Sequence, residues 1–173
     1  PNVTKDLVES LVKNISLPIH MHCHATSGLA SLNLMAAVKA GASIIDTCNS
    51  SYSEGASHPT TESIIIALEG MGYKTDIDLS KMDEITDYLT ENRKKYWQFE
   101  SKFTGLDPKV LINQVPGGMI SNLSNQLKDQ GALDKMAEVL KEIPEVRKDL
   151  GYPPLVTPTS QIVGTQAALN VIT

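Results

Sequence analysis

Leu17-Pro18-Ile19-His20-Met21-His22-Cys23-His24 reads as a strand, set between an amphipathic helix over 3–14 and a second helix from Leu29 to Lys39. After Gly41 follows another apolar strand, Ser43-Ile44-Ile45-Asp46-Thr47-Cys48, then a polar loop from Asn49 to Ser57 and a helix from Pro59 to Glu69 that ends at Gly70. The helices follow the three-to-four-residue apolar period, and the strands are short apolar runs bounded by turn residues. Alternating β and α elements with short connections imply a parallel sheet, and both a (β/α) barrel and a doubly wound sheet fit.

From about Leu79 onward the pattern turns mostly helical. Ser80 is expected to cap a long helix from Lys81 to Phe99, and Gly105-Leu106-Asp107-Pro108 breaks it. Lys109 to Val115 is short, apolar and ambiguous, and Pro116-Gly117-Gly118 predicts a turn before a helix from Met119 to Gln130. Leu133 to Ile143 and Pro144 to Leu150 read as two helices divided at Pro144, because proline cannot continue the hydrogen-bond ladder. The last helix runs from Ile162 to Ile172. Pro1 opens straight into helix and the chain stops in helix, so both ends are expected to be cuts within a longer fold.

The chain of 173 residues is 41% hydrophobic, enough for a core, while 5% aromatic content makes that core mainly aliphatic. A net charge of -5 and the lack of a basic run argue against nucleic acid or an anionic membrane as partner. Cys23 and Cys48 lie in apolar strands and are expected to be buried free thiols. With neither a signal peptide nor a spanning apolar stretch in view, the expected location is the cytoplasm.

Strand alternation sends His20, His22 and His24 to one face, where their imidazoles converge and can hold a divalent metal. Spacing alone does not exclude any of the three. No carboxylate is an obvious neighbour, since Ala25 follows the triplet and Asp46 lies one strand later, so further ligands are expected outside this chain. His58 reads as a loop residue, and the charged residues of Glu91 to Glu100 read as a solvated face. Thr157-Pro158 has the pattern of a helix start, with the threonine as cap and proline at the first helical position.

Five motifs in consistent order extend this reading. His22-Cys23-His24-Ala25-Thr26-Ser27-Gly28, Ser57-His58-Pro59-Thr60-Thr61-Glu62-Ser63, Arg93-Lys94-Lys95-Tyr96, Gln114-Val115-Pro116-Gly117-Gly118-Met119 and Leu155-Val156-Thr157-Pro158-Thr159-Ser160-Gln161 resemble the biotin-dependent carboxyltransferases. That family includes the oxaloacetate decarboxylase alpha subunit, the carboxyltransferase subunit of two-subunit pyruvate carboxylases and the transcarboxylase subunit acting on oxaloacetate. The resemblance implies the C-terminal portion of a (β/α)₈ TIM barrel over 1–78, followed by a mostly α-helical carboxylase extension over 79–173. A whole barrel needs about 250 residues. The N-terminal half of the barrel, with a metal-binding Asp, a carboxylated Lys and the groups that grip the keto acid, is accordingly expected outside this sequence.

By resemblance the metal ligands are His22 and His24, Thr157 is the catalytic proton shuttle, and Ser160 and Gln161 contact the biotin ureido ring. The implied cofactors are a divalent metal (Zn, Co or Mn) and biotin carried on another domain or subunit. The implied partners are oxaloacetate or pyruvate, the biotin carrier, membrane decarboxylase subunits through a complex, and further copies in a homo-oligomer. Ala25 resembles the decarboxylase and transcarboxylase branch, and Gln161 stands where single-chain pyruvate carboxylases have Lys. The expected parent is thus the oxaloacetate decarboxylase alpha subunit, with the pyruvate carboxylase and transcarboxylase subunits as alternatives. Two other classes stay open: a metal-dependent aldolase-type lyase, and a non-catalytic structural or binding fragment whose half-barrel edge invites pairing.

Overall fold

The computed structural model describes residues 1–100, 105–108, 110–113, 115 and 117–173. One compact unit is built on Pro1–Glu100 and a second on Asp107–Thr173. Among the described residues no helix is long and apolar enough to cross a membrane.

The first unit runs α1 (Asn2–Asn14), β1 (His20–Met21), α2 (Ala30–Lys39), β2 (Ile44–Ile45), α3 (Thr61–Gly70) and α4 (Leu79–Arg93), with a single 3₁₀ turn at Trp97–Phe99. β1 and β2 pair in parallel, His20 opposite Ile44 and Met21 opposite Ile45. Between them α2 buries two faces. Ala37 packs with Val8 and Ile19, while Leu34 packs with Ile64 and Leu68 of α3. Gly41, at φ +105°, makes the turn into β2, and Val12 Cγ2 lies 3.2 Å from where a Cβ would stand there. Only glycine suits that position.

The strands are shorter than the apolar runs suggest. Beyond Met21 the backbone leaves the ladder to bond the loop that follows β2, with Ala25 N–H donating to Ser57 O at 2.7 Å. Cys48 likewise forms an isolated parallel bridge with Thr60. Cys23 and Cys48 are free and half-buried. The cap of α4 is Asp78, not Ser80: Asp78 Oδ1 accepts from Ser80 N at 2.9 Å and from its hydroxyl at 2.6 Å. That helix ends at Arg93, short of the expected Phe99.

The second unit holds α5 (Val110–Asn113), α6 (Gly117–Asp129), a 3₁₀ turn at Leu133–Lys135, α7 (Met136–Asp149) and α8 (Thr159–Ile172). The expected turn at Pro116-Gly117-Gly118 lies partly outside the described residues, and Gly117 and Gly118 already belong to α6. α7 continues through Pro144, contrary to the expected break. An interior proline costs a helix about 3 kcal/mol. Burial of Met136, Val139, Ile143 and Val146 along one stripe offsets it, at about 1.5–3 kcal/mol per large side chain. α8 turns small residues inward, including Gly164, where a Cβ would stand 2.9 Å from Met119 Cε of α6.

On α2, Leu34 is fully buried and Leu32 exposed. Leu34→Ala is therefore expected to lower stability by about 2–5 kcal/mol, and Leu32→Ala by no more than about 0.5 kcal/mol. Urea midpoints separate the two, and equal losses would contradict the inward face assigned to this helix.

Candidate functional site

The parallel register that sets Met21 beside Ile45 brings the residues just beyond, His22 and Asp46, to the same end of the ladder. Asp46 is therefore the neighbouring carboxylate that linear spacing did not offer. Its Oδ1 accepts from His20 Nε2 at 2.7 Å and its Oδ2 from His22 Nδ1 at 2.6 Å. Those hydrogen bonds, from His22 first and His20 second, hold the Asp46 carboxyl below the usual carboxylate range against a smaller opposing effect of burial. His20 is thereby committed to Asp46 through Nε2 and stands apart from the other imidazoles.

His22 Nε2 and His24 Nε2 lie 3.2 Å apart. His24 Nδ1 donates to Ala56 O at 2.5 Å, so both rings are fixed through Nδ1 and leave Nε2 free of N–H when neutral. Two nitrogens sharing a tetrahedral metal at 2.0–2.1 Å would stand about 3.4 Å apart, which the observed separation matches closely. The donor chemistry fits a divalent ion of the zinc or cobalt type.

His58 joins this pair, contrary to its reading as a plain loop residue. Its ring centroid is 4.5 Å from that of His22 and 4.7 Å from that of His24, and one ring nitrogen of each of the three lies within 4.8 Å of the others. His58 Nδ1 donates to Cys23 O at 3.0 Å. No local pattern in the sequence could have revealed this, because the approach depends on how residues 49–60 fold back. Thr26 Oγ1 donates to Gly55 O at 2.9 Å and Glu54 N to His58 O at 2.8 Å, closing the loop onto the segment after β1.

The far side of that loop is pinned by α3 and α4. Glu62 accepts from Ser50 Oγ at 2.7 Å, Thr86 Oγ1 at 3.0 Å and Asn49 Nδ2 at 3.2 Å. Burial pushes the Glu62 carboxyl up, but hydrogen bonds led by the Ser50 hydroxyl outweigh it and hold the group below its ordinary range. Arg93 donates to Ser51 O at 2.6 Å, lies 5.5 Å from the Tyr52 ring centroid, and pairs with Glu100. Arg93 and Glu100 thus support the loop and are not merely part of a solvated face.

In the second unit, α8 begins after a cis Thr157–Pro158 peptide. Thr157 is not the helix cap: Pro158 holds that position without a side-chain bond, and Thr159 Oγ1 donates instead to Val156 O at 2.8 Å and to Pro154 O. Ser160 N and Gln161 N continue the turn onto Val156 O and Pro158 O at 2.9 and 3.0 Å. Thr157 and Gln161 are exposed, whereas Ser160 is buried. The hydroxyl of Thr157 is therefore not consumed by helix capping.

Because the Glu62 carboxylate is favoured by folding, its stabilisation is present above the ordinary carboxyl pKa, about 4.3, and fades as pH falls through the lower folded value. Glu62→Gln is expected to lower stability by about 1 kcal/mol at pH 7. Denaturant titrations at pH 7 and pH 3.5 check this. The gap between wild type and variant narrows at the lower pH, and a gap independent of pH would contradict the role given to the carboxylate.

A family described as HMGL-like matches residues 1–89, and one described as conserved carboxylase domain matches residues 110–173. The chain is 56% identical over 169 residues to a pyruvate carboxylase subunit of Methanocaldococcus jannaschii, a match covering 97% of this chain and 30% of that protein. It is 51% identical over 154 residues to the methylmalonyl-CoA carboxyltransferase 5S subunit of Propionibacterium freudenreichii subsp. shermanii, covering 89% of this chain and 30% of that one. The carboxyl transferase domain of Rhizobium etli pyruvate carboxylase with oxamate and biotin superposes with a TM-score of 0.93 at 32% identity, over 99% of this chain and 29% of that domain. The chain thus spans about 30% of the length of the curated relatives it matches. These relatives give no preference to oxaloacetate decarboxylase over pyruvate carboxylase. The chain belongs to the biotin-dependent carboxyltransferases, a family of enzymes, and carries the last strands and helices of their TIM barrel followed by a mostly helical carboxylase extension.

Proposed function

We propose that the protein carrying this chain transfers a carboxyl group between a keto acid, pyruvate or oxaloacetate, and biotin held on another domain or subunit. The observation that carries the reading is the pair His22 and His24, with Nε2 atoms 3.2 Å apart and both Nδ1 atoms anchored. In this reading residues 1–78 supply the metal-holding part and 79–173 the extension. The branch of two-subunit pyruvate carboxylases is preferred, on the identity of 56% with the Methanocaldococcus jannaschii relative.

His22 and His24 would hold the divalent metal, with Asp46 and the Ala56 carbonyl fixing their rings. When bound, the metal would polarise the keto oxygen and stabilise the negative charge that develops as the carboxyl leaves or arrives. The Thr157 hydroxyl would pass a proton between the ureido nitrogen that exchanges the carboxyl and the methyl carbon of the keto acid. Threonine is too weak an acid to hold charge at neutral pH, so its part is concerted relay. Ser160 and Gln161, in the first turn of α8, would contact the ureido ring.

Decarboxylation of oxaloacetate by the whole protein with free biotin tests this reading. Thr157→Ala is expected to lower the biotin-dependent rate by about 10²–10⁴-fold with metal content unchanged, and Thr157→Ser to keep a measurable part of it. An undiminished biotin-dependent rate in Thr157→Ala would remove the relay. A rate indifferent to biotin in the wild type would point instead to a lyase.

A further inference from the structure

We infer that Arg147 is a positioning residue for the proton relay: by holding the carbonyl of Pro153 it sets the segment that presents the Thr157 hydroxyl, an inference that rests on the reading of Thr157 as the proton carrier. Residues 153–158 read Pro-Pro-Leu-Val-Thr-Pro, and three of the six have no backbone N–H. Such a stretch cannot be held through its own backbone donors, so its place depends on what grips its carbonyls and on what its side chains bury. Leu155 packs against the core of the helical unit. Side chains take the carbonyls. Thr159 Oγ1 donates to Val156 O at 2.8 Å and to Pro154 O, and Arg147 Nε donates to Pro153 O at 3.0 Å.

Arg147 is suited to this by its place at the end of α7. Its own carbonyl accepts from Tyr152 N–H at 2.8 Å, and Gly151 N–H donates to Lys148 O at 3.0 Å, the pair of bonds with which a helix ends on a left-handed glycine. Gly151 takes φ +79°, and Tyr152 follows it at φ +57°, a conformation that is costly for a residue with a Cβ. Tyr152 is exposed, so burial does not hold it there. The backbone bond from Tyr152 and the side-chain bond to Pro153 O meet on one residue and fix consecutive peptide units as the chain leaves the helix. The direction in which the proline-rich segment sets out is thus set by Arg147.

The guanidinium is not what holds the helical unit together. The inward stripe of α7 is Met136, Val139, Ile143 and Val146, and Arg147 stands beside it, half-buried. Thr157 lies four residues beyond Pro153, before α8 begins. Relay of a proton needs the hydroxyl within hydrogen-bond reach of both exchanging atoms, and a misplacement of about 1 Å can cost about 100-fold in rate. A displaced segment therefore lowers turnover and leaves metal and keto-acid binding, which other residues supply, as they were.

The test is oxaloacetate decarboxylation with free biotin by the whole protein, in Arg147→Met, which keeps the apolar stem and removes the donors, and in Arg147→Lys, which keeps one cationic donor. Arg147→Met is expected to lower kcat by about 10–100-fold with KM for oxaloacetate, bound metal and melting temperature little changed, and Arg147→Lys to recover part of the loss. In a Thr157→Ala background Arg147→Met is expected to add less than about 2-fold, because the group that Arg147 places is already gone. A wild-type kcat in Arg147→Met would overturn the proposal and leave the relay standing. So would a loss that multiplies fully with that of Thr157→Ala, the mark of general damage, or failure of both arginine variants to fold, which would make the side chain a support of the whole unit. An undiminished rate in Thr157→Ala itself would remove the relay and the proposal with it.

Discussion

The Asp46 carboxylate accepts from His20 Nε2 on one oxygen and from His22 Nδ1 on the other, and the direction in which His22 presents its second nitrogen follows from that bond. The carboxylate can do this because a two-residue parallel pairing fixes the register, which in turn depends on α2 filling both of its faces with Ala37 and Leu34. The ion pairs themselves are half-exposed and add little to stability. Their contribution is orientational. Removing the carboxylate frees the His22 ring, whose Nε2 stands 3.2 Å from that of His24.

A second layer of support comes from residues 49–60, which reach back over the segment after β1. The carbonyl of Ala56 fixes His24, the carbonyl of Gly55 takes the Thr26 hydroxyl, and His58 returns a bond to Cys23 O. On the outer side Glu62 and Arg93 hold the loop through Ser50, Ser51 and Asn49. The second unit solves a different problem, the close approach of helices. Small inward residues let α8 lie close to α6, and the continuous apolar stripe of α7 keeps that helix intact through Pro144. The start of α8 leaves Thr157 outside the helix and exposed.

Helices were legible because their apolar period is local: the first is expected at 3–14 and found at Asn2–Asn14, and the one expected from Leu29 to Lys39 is found at Ala30–Lys39. Strand length was not legible, because where a ladder ends depends on which backbone groups a distant loop claims. Pro144 misled for a related reason, since the local penalty is real and is outweighed by burial that the linear pattern does not weigh. Alternation singled out His20, His22 and His24 together, and the family resemblance chose His22 and His24 among them. Asp46 became a partner only through parallel register and His58 only through the fold of its loop, so spacing along the chain carried no trace of either. The motifs shared with the carboxyltransferases supplied the family, and the HMGL-like and conserved carboxylase matches agree with it.

The most direct measurement is the affinity of the whole protein for a divalent metal before and after Asp46→Ala, read by competition with a chromogenic chelator. If Asp46 orients His22 toward a metal, the substitution weakens binding by about 10–100-fold while the fold persists. Unchanged affinity in a folded Asp46→Ala protein would contradict the account, because His22 would then not depend on the carboxylate that holds its Nδ1.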